Sequence, residues 1–214
     1  MNEVPQATIE RLVVYYRYLK KMAERDLEDT ISSKTLGDAV GTSAAQVRKD
    51  LSYFGEFGCK GVGYDINSLK KCLERILGFN RVREIALVGA GNLGRALVNY
   101  QGFKEMGMEI VEVFDCDIDK INNRVGRLTV RSVNEMEKII RKRNIKTAII
   151  AVPEEEAQGV ASSLVKAGVK AIWNFAPVAL NLPSEVVIYY EDLASSLVWL
   201  IYKSGHGNLK VNVK

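Results

Sequence analysis

The chain has 214 residues, 47% of them hydrophobic and 26% charged, with a formal net charge of +4. That length suits two small domains, and the composition is that of a soluble globular protein. No run approaches the roughly 18 apolar residues of a membrane span. Met1-Asn2-Glu3-Val4-Pro5 has neither the charged nor the apolar region of a secretory signal, so a cytoplasmic location is expected. Cys59, Cys72 and Cys116 are scattered and His206 is the single histidine, which argues against a disulfide framework and against a metal centre. The modest charge neither demands nor excludes nucleic acid.

Residues 5 to 25 read as an amphipathic helix: Pro5 suits a first turn, and Ile9, Leu12, Val13, Tyr16, Leu19 and Ala23 recur at helical spacing. Ser32 or Ser33 can cap a short second helix, Gly41-Thr42 makes a turn, and Ser43 can cap a third helix running to about Tyr53. Two short helices around a glycine turn predict helix-turn-helix. Gly55, Gly58, Gly61 and Gly63, interleaved with Phe57, Val62 and Tyr64, predict a small hairpin or wing. A helix over 66–77 ends at Gly78, and the domain boundary falls between Gly78 and Arg83.

From Arg83 onward strands and helices alternate. Strands are expected at 84–88, 109–114, 128–131, 147–152, 170–174 and 185–189, with helices near 92–104, 134–143, 155–167 and 191–203. That alternation predicts a Rossmann-type, doubly wound parallel α/β sheet. The last helix is apolar on more than one face, which requires neighbours on two sides. Residues 205–214 read as a polar, mobile tail.

The stretch Glu84 to Gly94 carries a strand that ends in Gly89-Ala90-Gly91-Asn92-Leu93-Gly94 and opens a helix. The first glycine of such a fingerprint permits a tight turn, the second lets a pyrophosphate approach the backbone, and the third lets helix and strand pack closely. The helix start supplies free N–H groups and the positive end of a dipole. Asp115 ends the second strand, 21 residues past Gly94, where a carboxylate accepts from adenosine ribose hydroxyls and repels a 2′-phosphate. NAD+ and NADH are therefore the expected cofactors rather than their phosphorylated forms. Val152-Pro153 and Asn174-Phe175-Ala176-Pro177 follow later strands at the ligand-binding edge, although ordinary proline turns would give the same sequence. The expected cofactor residues are Gly89, Ala90, Gly91, Asn92, Leu93, Gly94, Ala96, Asp115, Val152, Pro153, Asn174, Ala176 and Pro177.

A dehydrogenase also needs a group that moves a proton while the cofactor moves hydride. His206 lies in the tail, and the Tyr100-x-x-x-Lys104 spacing falls after the first strand, the wrong place for a short-chain dehydrogenase. A binding protein is expected, not an enzyme. The rival readings are an oxidoreductase with an unusual N-terminal domain and a nucleotide sensor with a protein partner.

On the third helix Ala44, Val47, Leu51 and Phe54 share one side, while Ala45, Gln46, Arg48, Lys49, Ser52 and Tyr53 take the rest. Cations can anchor phosphates, glutamine can pair with adenine, and alanine can touch a thymine methyl. Lys60 in the wing can reach a minor groove. A solvated polar face is the bland alternative. The expected DNA-binding residues are Ser43, Ala45, Gln46, Arg48, Lys49, Ser52, Tyr53, Lys60 and Gly61.

Gln46-Val47-Arg48-Lys49-Asp50-Leu51-Ser52-Tyr53-Phe54-Gly55, Gly61-Val62-Gly63-Tyr64, the glycine fingerprint and Asn174-Phe175-Ala176-Pro177-Val178 together resemble the Rex family of redox-sensing transcriptional repressors. The similarity runs in one order from about residue 4 to 203. It implies a winged-helix DNA-binding domain over 1–80, a Rossmann NAD(H)-binding domain over 81–190, and a helix over 191–204 exchanged between the subunits of a homodimer. It also implies double-stranded operator DNA, as an AT-rich palindrome, released when NADH rises. By the same resemblance Arg17, Tyr100 and Asp192 match positions linking the DNA-binding domain to the cofactor site. Leu193 stands where some members carry phenylalanine.

Overall fold

In the computed structural model, which describes residues 4–25, 29–58 and 62–205, helix α1 spans Gln6–Arg25 and buries Leu12, Tyr15, Tyr16 and Leu19. Strand β1 (Thr30–Ile31) precedes α2 (Ser33–Val40), α3 (Ala44–Ser52), β2 (Tyr64–Asp65) and α4 (Ile66–Leu77). Side-chain caps set the helix starts. The hydroxyls of Ser32 and Ser43 accept from the N–H groups of Thr35 and Gln46, and the Asp65 carboxylate accepts from that of Ser68. Gly41 and Gly78 end α2 and α4 in the left-handed conformation. Leu36, Val47, Leu51, Leu69 and Leu73 close one core with the α1 residues.

Residues 59–61, at the centre of the expected hairpin or wing, lie outside the described residues. Tyr64–Asp65 pairs antiparallel with Thr30–Ile31. A Cβ on Gly63 would stand 2.6 Å from the Ile31 carbonyl oxygen, so that glycine is required by the approach of the two strands. Lys60, Gly61, Cys59 and the 206–214 tail lie outside the described residues.

The chain divides into two units, Met1–Arg81 and Val82–Lys214. In the second unit β3 (Arg83–Val88), α5 (Asn92–Asn99), β4 (Met108–Asp115), β5 (Arg124–Val125), β6 (Leu128–Ser132), α6 (Met136–Arg143), β7 (Thr147–Ile150), α7 (Glu154–Ala167), β8 (Ala171–Asn174), β9 (Val187–Tyr190) and α8 (Leu193–Gly205) follow in order. The sheet runs β5-β6-β4-β3-β7-β8-β9 and is parallel except for β5. Ala86, Val88, Phe114, Ala148 and Ile150 share a core with Met136, Ile140, Ala157 and Leu164 of α6 and α7. Ile85, Leu87, Val113 and Ile149 point into a second core with Leu97, Val98 and Phe103. Alternate strand residues thus serve opposite faces, and helices cover both.

One expected element of this unit differs, and one strand forms that was not expected. The helix over 92–104 breaks at Tyr100, which is extended (ψ 109°), and a 3-10 turn follows over Gln101–Met106. Gly102 admits the Tyr100 ring, which a Cβ there would meet at 2.6 Å. The short antiparallel β5 has too few residues for a periodic signal.

Candidate nucleotide cleft and nucleic-acid interface

The strand order reverses at β3, whose neighbours β4 and β7 lead to opposite edges of the sheet. Ligands of open α/β sheets sit beyond the carboxyl ends at such a point. A cleft of about 520 Å³ opens there. Gly89, Gly91, Asn92 and Leu93 form one side, Asp115, Cys116, Asp117 and Lys120 the second, and Ala151, Val152, Pro153 and Glu156 the third.

Each glycine of the fingerprint has a separate physical reason. Gly89 has φ +104° and its Cβ would stand 2.3 Å from the Ala151 carbonyl oxygen. A Cβ on Gly94 would stand 1.9 Å from the Gly89 carbonyl oxygen, so α5 lies on the turn itself. A Cβ on Gly91 meets no protein atom within 4 Å, and its φ is an ordinary −73°. Packing therefore does not demand a glycine there, whereas a group approaching from the cleft does. Gly91 caps α5 without a side-chain hydrogen bond, which leaves the N–H groups of the first turn for an anion. These residues fit a dinucleotide pyrophosphate.

Asp115 does more than line the cleft. Its Oδ2 accepts from the Ala90 N–H at 2.7 Å, its Oδ1 accepts from the Asp117 N–H at 2.9 Å, and Lys120 Nζ lies 3.3 Å from Oδ2. Burial pushes its pKa up, but those backbone donors and the lysine charge outweigh burial and hold the carboxyl below the usual range. Asp115 therefore braces the glycine turn as an ionised group. Cys116 is the reverse case: partial desolvation and the Glu156 carboxylate, 3.6 Å from Sγ, push the thiol up and keep it protonated.

The remaining expected cofactor residues are placed less directly. Ala90 is buried under the turn, and Ala96 is exposed on α5 and is not among the residues that line the cleft. Asn174 is fully buried; its amide donates to the carbonyls of Ala176 and Val178 and accepts from the Ala176 N–H. Its side chain shapes the 174–178 loop, and its amide is engaged there. Ala176 is buried within that loop and Pro177 is exposed on it.

On α3, Ser43, Ala45, Arg48, Lys49, Ser52 and Tyr53 are all exposed. Arg48 donates to the Ser33 hydroxyl at 2.9 Å, which fixes its guanidinium beside the start of α2. Sequence reasoning passed over Asp50, whose side chain is fully buried. It accepts from Arg11 (2.6 and 2.7 Å), Tyr15 (2.8 Å), Thr8 (3.1 Å) and Gln46 (2.8 Å). The Gln46 amide, expected to be free for a base, is thus partly engaged inward. An acid on the Val47–Leu51 side of the helix was the available signal.

Of the expected linking residues, Arg17 is exposed on α1, and Tyr100 is half-exposed with its ring edge-on to Phe103 at 5.0 Å. Asp192 accepts from the Ala194 N–H at 2.9 Å and the Ser195 N–H at 3.2 Å, capping the start of α8. Among the described residues no group of acids, cysteines and histidines could hold a metal, and no helix is long and apolar enough to cross a membrane.

Two family models match the chain, one described as a putative DNA-binding protein N-terminus over residues 3–52 and one as a CoA binding domain over 80–178. The redox-sensing transcriptional repressor Rex of Carboxydothermus hydrogenoformans is 46% identical over 200 residues, covering 94% of this chain and 96% of its own. This chain belongs to the Rex family of redox-sensing transcriptional repressors. Among solved structures, the Rex-family repressor RSP in complex with β-NAD+ and operator DNA overlays with a TM-score of 0.89 at 36% identity, covering 95% of this chain and 94% of RSP. RSP in complex with β-NADH overlays at 0.83 with 34% identity, covering 95% of each. Rex proteins are regulators rather than enzymes, which agrees with a cleft read as a binding site.

Proposed function

We propose that this chain is a cytoplasmic transcriptional repressor that grips operator DNA when NADH is scarce and releases it when NADH binds. The observation that carries this reading is the likeness along 95% of the chain to one repressor captured both with operator DNA and with NADH. The glycine turn, α5 and Asp115 hold the dinucleotide, and α3 presents Arg48, Lys49, Ser52 and Tyr53 to the major groove. NAD+ and NADH differ by one positive charge on the nicotinamide ring. The apolar surface of Ala151, Val152 and Pro153 disfavours that charge through desolvation, against the attraction of the Glu156 carboxylate on the same side of the cleft.

The protein works as a homodimer on an AT-rich palindrome, with α8 as the exchanged element. Leu193, Leu197, Val198, Trp199, Leu200, Ile201 and Tyr202 of α8 are 53% to 63% exposed, an apolar surface that a single chain leaves in water. Residues 1–80 read the DNA, 81–190 hold the cofactor, and 191–204 join the subunits. Arg17, Tyr100 and Asp192 carry the state of the cofactor site to the reading helices. NADH selects a dimer whose two reading helices no longer match the half-site spacing. A mobility shift on the DNA upstream of this protein's own gene tests the reading. Retardation that NADH reverses is expected; retardation indifferent to NADH removes the sensor, and turnover of NADH with a small carbonyl compound would favour the oxidoreductase.

Asp115→Ala should weaken NADH by on the order of tenfold, since one charge-assisted hydrogen bond to the ribose and the brace on Ala90 go together. It should also narrow the preference over NADPH, because the charge that repels a 2′-phosphate is gone. Calorimetric titrations with both nucleotides check this, and unchanged affinities would remove the assignment.

A further inference from the structure

We propose that the buried Asp50 carboxylate is a positioning residue for base recognition: it holds the Gln46 amide so that the free edge of that amide reads one A·T pair in each half-site. This rests on the repressor reading above.

Three side chains of α1 converge on Asp50. Arg11 grips both carboxylate oxygens at 2.6 and 2.7 Å, while the hydroxyls of Tyr15 and Thr8 donate at 2.8 and 3.1 Å. From its own helix, one turn earlier, Gln46 Nε2 donates to Oδ1 at 2.8 Å. The pKa of Asp50 is pushed up by burial, but the bonds from Arg11, Tyr15 and Gln46 outweigh burial and keep the group ionised. An ionised carboxylate only accepts, so the amide nitrogen and not the oxygen must face it. The usual ambiguity between the two ends of a glutamine amide is thereby removed.

One of the two Nε2 protons is engaged by Asp50. The other proton and Oε1 are the donor and acceptor that the amide has left. That pair matches N7 and the N6 amino group of adenine in the major groove. Stepping round α3, Gln46 sits between buried Asp50 and exposed Tyr53 and Lys49, at the margin where a held side chain still meets solvent. A glutamine free to rotate would lose that freedom on binding; one already held has lost it in the folded protein. Because Asp50 takes most of its bonds from α1, the first helix fixes the reading edge of the third.

The test uses the full-length protein. Selection from a randomised palindromic duplex pool defines the preferred site, and competition with every single base-pair substitution then measures preference at each position. Gln46→Ala should relax preference at one symmetric A·T position by a factor on the order of ten. Asp50→Asn, with circular dichroism matching the unaltered protein, should relax the same position by a similar factor. The double variant should lose no more there than Gln46→Ala alone. A role confined to stability would instead weaken all duplexes equally, and that result overturns the proposal, as does Gln46→Ala without any change in preference. Should Asp50→Asn fail to fold, Tyr15→Phe removes one donor to the same carboxylate and keeps the ring. Relaxation at the same pair then supports the proposal, and a uniform change or none overturns it. An unaltered protein that selects no duplex would remove the repressor reading itself, a result distinct from any variant effect.

Discussion

Asp50→Ala is expected to destabilise the DNA-binding unit by about 3 kcal/mol. That is the low end of what breaking a buried ion pair costs, because Arg11 keeps 31% of its side chain in water while Asp50 has none exposed. Besides the lost pairing, Tyr15 and Thr8 are left buried with donors that no longer reach an acceptor. In a unit of this size each kcal/mol moves a thermal midpoint by roughly 4–8 °C, so the first unfolding transition should fall by more than about 10 °C. The effect has a definite pH dependence. The folded-state pKa of Asp50 lies below its ordinary 3.8, so the stabilisation is complete above that value and is lost as pH falls through the folded pKa. The gap between variant and unaltered protein should therefore be full at pH 7 and close in strong acid. An unchanged midpoint at neutral pH would show that the cluster contributes nothing.

Gly91→Ala and Gly94→Ala should both weaken NADH binding strongly, and for different reasons. At Gly94 the new methyl collides with the Gly89 carbonyl oxygen at 1.9 Å. Gly89 cannot withdraw, since it is held in the left-handed region against the Ala151 carbonyl. Helix α5 must then lift from the sheet, at a cost of about 1–3 kcal/mol or more, and carry its N–H groups away from the pyrophosphate. At Gly91 the methyl enters empty cleft, and the backbone there is one any residue adopts. The thermal midpoint without nucleotide should be unchanged while NADH affinity falls by on the order of a hundredfold, because the methyl stands where phosphate approaches. Thermal scans with and without NADH separate the two. A Gly91→Ala protein that NADH stabilises as much as it does the unaltered protein would place the nucleotide elsewhere.

Much of this was legible in the residues because the signals are local. The glycine fingerprint, the caps at Ser43 and Gly78, and apolar strands such as Thr147–Ile150 each announce themselves within a few positions. What escaped depends on partners distant in sequence. Asp50 reads as one more solvated charge on a polar helix until α1, about forty residues earlier, brings Arg11 and Tyr15 onto it. Gln46 reads as free for a base for the same reason. The pairing of Tyr64 with Ile31 escaped as well, since no periodicity within 55–64 encodes it. Glu112 is similar: a strand acid that is buried in the sheet, where it accepts from Arg131 at 2.9 Å and Arg143 at 3.0 Å. Asn174 was read by its place at the ligand edge, but its amide closes its own loop.

Calorimetric titration of NADH into the protein, alone and saturated with operator duplex, is the most direct measure of whether one ligand governs the other. Linkage requires operator to weaken NADH by the same factor by which NADH weakens operator, and a typical coupling of 1–3 kcal/mol makes that factor about 5 to 150. The expected result is an NADH affinity lowered within that range by DNA. Equal NADH affinity with and without saturating operator would contradict it.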